Sequence, residues 1–106
     1  MTTIISLKDN FDWNNYVNDV YKKIININNK VIVIWDLTKL TKPPRKYFKK
    51  QILLMYKLRN KLWKNLIKSI VVVSNKECYE FLNLLFKYYT PERPVEIEFT
   101  ENYTKE

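Results

Sequence analysis

The hydrophobic pattern is densest near the first third of the chain. Val31-Ile32-Val33-Ile34-Trp35 is an unbroken apolar run closed by Asp36-Leu37-Thr38. Runs like this, rich in β-branched residues and without alternation, mark strands buried on both faces of a parallel sheet. Ile70-Val71-Val72-Val73 repeats the pattern, so a second buried strand is predicted over residues 67–73. The two strands are expected to be parallel neighbours with helices over both sheet faces. A shorter first strand is predicted over residues 3–7. Val95-Glu96-Ile97-Glu98-Phe99 alternates apolar and acidic residues, as an edge strand with one wet face does.

Between the strands the period changes from two to nearly four. Trp13, Tyr16, Val17, Val20, Tyr21 and Ile24 recur at helical spacing and predict a helix over residues 12–25, with Asn10 or Asp12 as its cap. Residues 26–29, Asn-Ile-Asn-Asn, form a turn in which asparagine tolerates left-handed backbone. Thr41-Lys42-Pro43-Pro44 opens a second helix, with Thr41 or Lys42 at the cap and proline in the first turn. This helix is predicted to run to about Lys64, with Asn65 ending it. Tyr47, Phe48, Gln51, Leu54, Met55, Leu58 and Leu62 share one of its faces. Lys46, Lys49, Lys50, Lys57, Lys61 and Lys64 line the opposite one. Ser74-Asn75-Lys76-Glu77 reads as a capping box, Ser74 reaching forward and Glu77 reaching back. The third helix turns Cys78, Phe81, Leu82, Leu85, Tyr88 and Tyr89 inward.

The order is therefore β-α-β-α-β-α-β. Such alternation forces parallel pairing through right-handed crossovers. The expected fold is α/β, a single small domain over residues 1–99 built on a four-stranded, mainly parallel sheet flanked by helices. Residues 100–106 are expected to be a flexible tail.

Composition narrows the chemistry. The 106 residues are 46% hydrophobic and 15% aromatic, which fits a folded globule. There are 19 Lys and Arg against 11 Asp and Glu, a net charge of +8. That balance favours anionic partners, although AT-rich codon usage produces the same excess of Lys, Asn and Ile. The single cysteine excludes an internal disulfide and fits a reducing compartment, so a cytoplasmic location is expected. The first residues carry no basic, apolar leader, so no signal peptide is expected. No apolar run is long enough to span a bilayer, and no membrane insertion is expected.

With no His, Ser-His and Cys-His catalysis are excluded, as are the usual zinc sites. With no Gly, neither a Walker loop nor a dinucleotide fingerprint can form. No catalytic residue, metal or cofactor is expected. Two features remain. Asp36, Thr38 and Ser74 sit at the C-terminal edge of the central strands, where open parallel sheets hold ligands. A second acid two residues after Asp36 would suggest phosphoryl transfer, but Thr38 occupies that place, and local capping accounts for all three side chains. The other feature is the lysine face. From Leu37 to Lys76 there is no acid, and eleven Lys or Arg lie from Lys39 to Lys68. A solvated helix face ordinarily mixes signs. Stripes of one sign suit phosphates, yet without interleaved aromatics any nucleic-acid binding would be nonspecific.

The chain resembles the STAS domain, the fold of the sporulation anti-sigma factor antagonists, and is most similar to its small SpoIIAA-like members. The resemblance rests on Phe11-Asp12-Trp13-Asn14-Asn15-Tyr16, the strand ending Asp36-Leu37-Thr38, Ile70-Val71-Val72-Val73-Ser74-Asn75, and Pro94-Val95-Glu96-Ile97-Glu98-Phe99. It covers nearly all of residues 3–99. It implies a non-enzymatic regulatory module whose partner is another protein or a second copy. In phospho-switch members a serine stands in a small-residue turn where this chain has Thr41-Lys42-Pro43-Pro44-Arg45, so no switch is expected. The family also usually ends in a further helix, and a chain without one leaves the last strand open. The expected contact surfaces are the first-helix aromatics, the second helix and that strand. The alternative is a nonspecific polyanion binder acting through the lysine face.

Overall fold

The alternation is realised in a computed structural model whose described residues are 1–100. Strands β1 (Thr2–Lys8), β2 (Val31–Lys39), β3 (Leu66–Val73) and β4 (Val95–Phe99) alternate with helices α1 (Trp13–Val20), α2 (Phe48–Asn65) and α3 (Lys76–Tyr88). All four strands are parallel and lie in chain order, β1-β2-β3-β4. The two apolar runs are neighbours, with Ile34 opposite Ile70 and Trp35 opposite Val71.

Among the described residues, helices do not cover both faces. Right-handed crossovers that always step the same way across a sheet deliver every helix to the same side. Covering both faces requires the strand order to reverse, as it does in doubly wound sheets. Here it never reverses. Ile5, Val31, Val33 and Leu66 pack with Tyr16 and Val20 of α1 and Leu58 and Leu62 of α2. Leu37, Val71 and Val73 pack with Cys78 and Leu82 of α3. Each such side chain, fully buried, is worth about 1.5–3 kcal/mol, so one parity of each strand carries the core. The other parity, Ile4, Ile32, Ile34, Ile70 and Val72, belongs to neither cluster.

The connections follow local chemistry. Asp12 caps α1 by accepting from Asn14 N at 2.8 Å. The helix then widens into a π turn, Tyr21–Ile25. Successive residues of an α-helix point about 100° apart, yet this turn leaves both Ile24 and Ile25 buried. Their carbonyls accept from Asn65 Nδ2 at 3.1 and 3.2 Å, so the end of α2 satisfies the end of the first helical segment. The left-handed asparagine is Asn10 (φ 64°), before α1, and not one of residues 26–29.

The second helix starts later than the prolines suggest. Thr41 is bonded to Asp9 and so is not a cap. Pro43 and Pro44 bias Lys42 and Pro43 away from helical backbone, and a 3-10 turn, Arg45–Tyr47, leads into α2. The apolar face is as read, with Leu58 and Leu62 buried. At the end of α3, Tyr88 is 63% exposed, contrary to expectation. Tyr89 leaves the helix in extended conformation and is buried in its stead. Its hydroxyl reaches Met55 O at 3.3 Å and the Glu92 carboxylate. Burial raises the pKa of this phenol. Thr100, expected in the tail, extends the β4 ladder by donating its N–H to Val73 O at 3.0 Å. Residues 101–106 lie outside the described residues.

Candidate functional site

The C-terminal strand edge does bring Asp36, Thr38 and Ser74 together. Asp36 Oδ1 accepts from Thr38 N at 3.0 Å and from Thr38 Oγ1 at 2.6 Å. Ser74 Oγ donates to Thr38 O at 2.9 Å. The three form a chain of local bonds that locks the ends of β2 and β3 together. The capping box is not formed as read. Asn75, not Ser74, caps α3, accepting from Cys78 N at 2.8 Å. Cys78 is buried, and burial raises its thiol pKa, the opposite of an activated nucleophile. Among the described residues no group of three or more His, Cys, Asp or Glu could hold a metal ion.

Beside this edge the β1–α1 loop clamps the segment before α2. Asp9 Oδ1 accepts from Thr41 N at 3.0 Å and Oδ2 from Thr41 Oγ1 at 2.6 Å. These bonds, the hydroxyl first, hold the Asp9 carboxyl below the usual carboxylate range. A phosphate on Thr41 would face that carboxylate, a like-charge contact that melts local order. A depressed folded pKa stabilises fully above the unfolded value of about 3.9 and is lost as pH falls through the lowered value. Asp9→Asn is therefore expected to shrink the fall in melting temperature between about pH 4 and pH 2. It should also speed hydrogen exchange at Thr41 at neutral pH. An unchanged acid limb with unchanged exchange would show that the clamp does not form.

The lysine face is where the sequence places it. Lys46, Lys49, Lys50, Lys57, Lys61 and Lys64 are all exposed. The three ion pairs among the described residues, Lys23–Asp19, Lys68–Glu96 and Lys76–Glu80, include none of them. Lys46 and Lys50 instead lie over the Tyr47 ring, 5.0 and 5.7 Å from its centroid. Leu53, Tyr56 and Trp63 stand among these lysines, Trp63 56% exposed beneath the stacked Arg93 guanidinium.

The surface that sequence reasoning missed is the sheet face that no helix among the described residues covers. Register aligns its side chains in rows: Thr2, Ile32 and Lys68; Ile4, Ile34, Ile70 and Glu96; Ser6, Asp36, Val72 and Glu98. Five aliphatic side chains form its centre, and Ile4 is 51% exposed. Asp36, Glu96 and Glu98 bound it, and Lys68 reaches Glu96 at 2.6 Å. Glu98 forms no ion pair among the described residues. The signal was available in the order of elements, since chain-order parallel strands with right-handed crossovers leave one face bare. No helix among the described residues is long and apolar enough to cross a membrane. Comparison with known proteins matches this chain to no family model, no curated protein and no solved structure.

Proposed function

We propose that this chain is a non-enzymatic, STAS-like interaction module that docks a protein partner on its open sheet face. One observation carries the reading: five aliphatic side chains, Ile4 exposed and Ile32, Ile34, Ile70 and Val72 half-buried, share a face that no helix among the described residues covers. Parallel sheets are almost always covered on both faces, and contiguous exposed apolar surface marks interaction sites. The acids at one end of the patch suit a partner whose apolar surface is edged by Lys or Arg. The resemblance to anti-sigma factor antagonists supports the same class of function. Nothing at the strand edge calls for a reaction, since Asp36, Thr38 and Ser74 satisfy one another.

A second reading, nonspecific polyanion binding, is favoured by six exposed lysines, Lys46 in the turn before α2 and five on α2 itself, that lie outside every ion pair among the described residues. One experiment separates the two. Tagged wild type, Ile34→Thr/Ile70→Thr and Lys50→Glu/Lys57→Glu/Lys61→Glu are used as baits in extract from the native host, with and without nuclease. Threonine keeps β-branching, so the sheet variant should fold. Expected is a discrete protein captured despite nuclease, at least about tenfold weaker on the sheet variant and unchanged on the lysine variant. Capture lost with nuclease and with the lysine variant would establish the polyanion reading. Capture indifferent to the sheet variant would remove the first.

A further inference from the structure

On the opposite side of the sheet, between the two core clusters, lies a cavity of about 130 Å³. We infer that it is a binding site for a small uncharged molecule, one ring in size, carrying a single hydroxyl. This inference is independent of the open-face reading, because the two surfaces lie on opposite sides of the sheet.

The cavity has a floor of strand residues, Trp35, Leu37, Ser69 and Val71, and a roof that includes Phe81 and Leu85 of α3. Its size is close to that of an engineered 150 Å³ apolar cavity that stays dry and takes up benzene. No charged side chain lines it, so an ionised ligand would lose its hydration with nothing to replace it. The polar groups are few, as in small-molecule sites generally. The Tyr16 hydroxyl donates to Gln51 Oε1 at 2.8 Å, leaving its own oxygen able to accept. Burial holds that phenol in its neutral form by raising its pKa. Ser69 lines the cavity with little of its surface open to solvent; among the described residues no buried side-chain oxygen lacks a partner, so its hydroxyl is reached from the cavity and is not sealed in the core. Its backbone N–H is already used by Pro94 O at 2.9 Å. It is the one polar residue among the inward positions of its strand, the others being Leu66, Val71 and Val73. A ligand hydroxyl in the cavity would pair with it in place of water.

A ligand would enter between α1 and the turn before α2. Half-buried Phe11, Trp13, Pro44 and Tyr47 form that margin of the cavity. Trp13 and Tyr47 stack there with centroids 5.1 Å apart and planes 23° apart. A stacked pair can part without breaking a hydrogen bond, which suits a gate.

The test uses the full chain with phenol, toluene and benzoate as probes, followed by amide chemical shifts and melting temperature. Phenol is expected to bind with a dissociation constant of about a millimolar or tighter, shifting the Ser69 and Val71 amides and raising the melting temperature to a plateau. Toluene should bind more weakly, and benzoate should not bind. Ser69→Ala is expected to bring phenol down to the affinity of toluene, a loss of about tenfold. Absence of saturable shifts at Ser69 and Val71 with both neutral probes would overturn the inference. Equal binding of benzoate would do the same. Phenol binding that Ser69→Ala leaves intact would refute the hydroxyl specificity.

Discussion

Replacing Trp35 with alanine is expected to lower the unfolding free energy by about 3–5 kcal/mol, the range for large aromatic truncations in a core. Trp35 sits on the helix-facing parity of β2 and packs against both hydrophobic clusters. Its ring lies 6.3 Å from that of Tyr16 across the layer between sheet and helices. It also forms part of the floor of the cavity between sheet and helices. Alanine would enlarge a void that already exists, and walls held by three helices and a sheet collapse only in part, so the upper half of the range is expected. Small domains have only about 5–15 kcal/mol in total, so the variant should be partly unfolded at 37 °C. Urea unfolding followed by far-ultraviolet circular dichroism measures the change without relying on the deleted fluorophore. A loss below about 1 kcal/mol would mean that Trp35 does not join the clusters.

Much of this architecture was legible because packing imposes periodicity. Val31 to Trp35 and Ile70 to Val73 could be recognised as strands from their β-branched residues, and Leu58 and Leu62 as core from helical spacing. What misled was the continuity of the apolar runs. Ile32, Ile34, Ile70 and Val72 are as aliphatic as their buried neighbours, so a pattern rule assigns them a cover. Handedness overrides it. In chain order each crossover lands on the same side, and these residues stay half-buried on the face away from the helices. The proposed docking face rests on this disagreement between pattern and topology, since a solvent-facing strand parity ordinarily turns polar.

Smaller errors came from competition between neighbouring side chains. At residues 88 and 89 two tyrosines stood next to each other, and periodicity placed both inward. Only Tyr89 can reach the Met55 carbonyl and Glu92, and it does so by leaving the helix, which turns Tyr88 out. At Thr41 the expected cap found a partner 32 residues away in sequence, Asp9, which local reasoning could not supply. The cavity was not legible at all. Its walls come from all three helices and all four strands, and its size depends on how those layers meet.

The start of α3 shows the same competition and gives a prediction that dissects it. The sequence offers Ser74 and Asn75 side by side, both good caps. Ser74 is diverted to the Thr38 carbonyl, and Asn75 takes the cap with Oδ1 while its Nδ2 donates to Leu40 O at 2.9 Å. One side chain thus closes the helix N-terminus and ties it to the loop after β2. Asn75→Ala removes both bonds. A lost cap costs about 0.5–2 kcal/mol, and a stranded carbonyl about 1–3 kcal/mol. Leu40 O would keep only the Cys78 thiol at 3.9 Å, a weak donor. A total of about 2–4 kcal/mol is expected, because the two losses share one site and do not simply add. Asn75→Ser restores an oxygen for Cys78 N but offers no amide to Leu40, and it should recover roughly the cap's share, about 1 kcal/mol. Denaturant midpoints of the three proteins at equal slope give the partition. A serine variant as stable as wild type would show that the Leu40 bond contributes nothing. One as unstable as alanine would show the same of the cap.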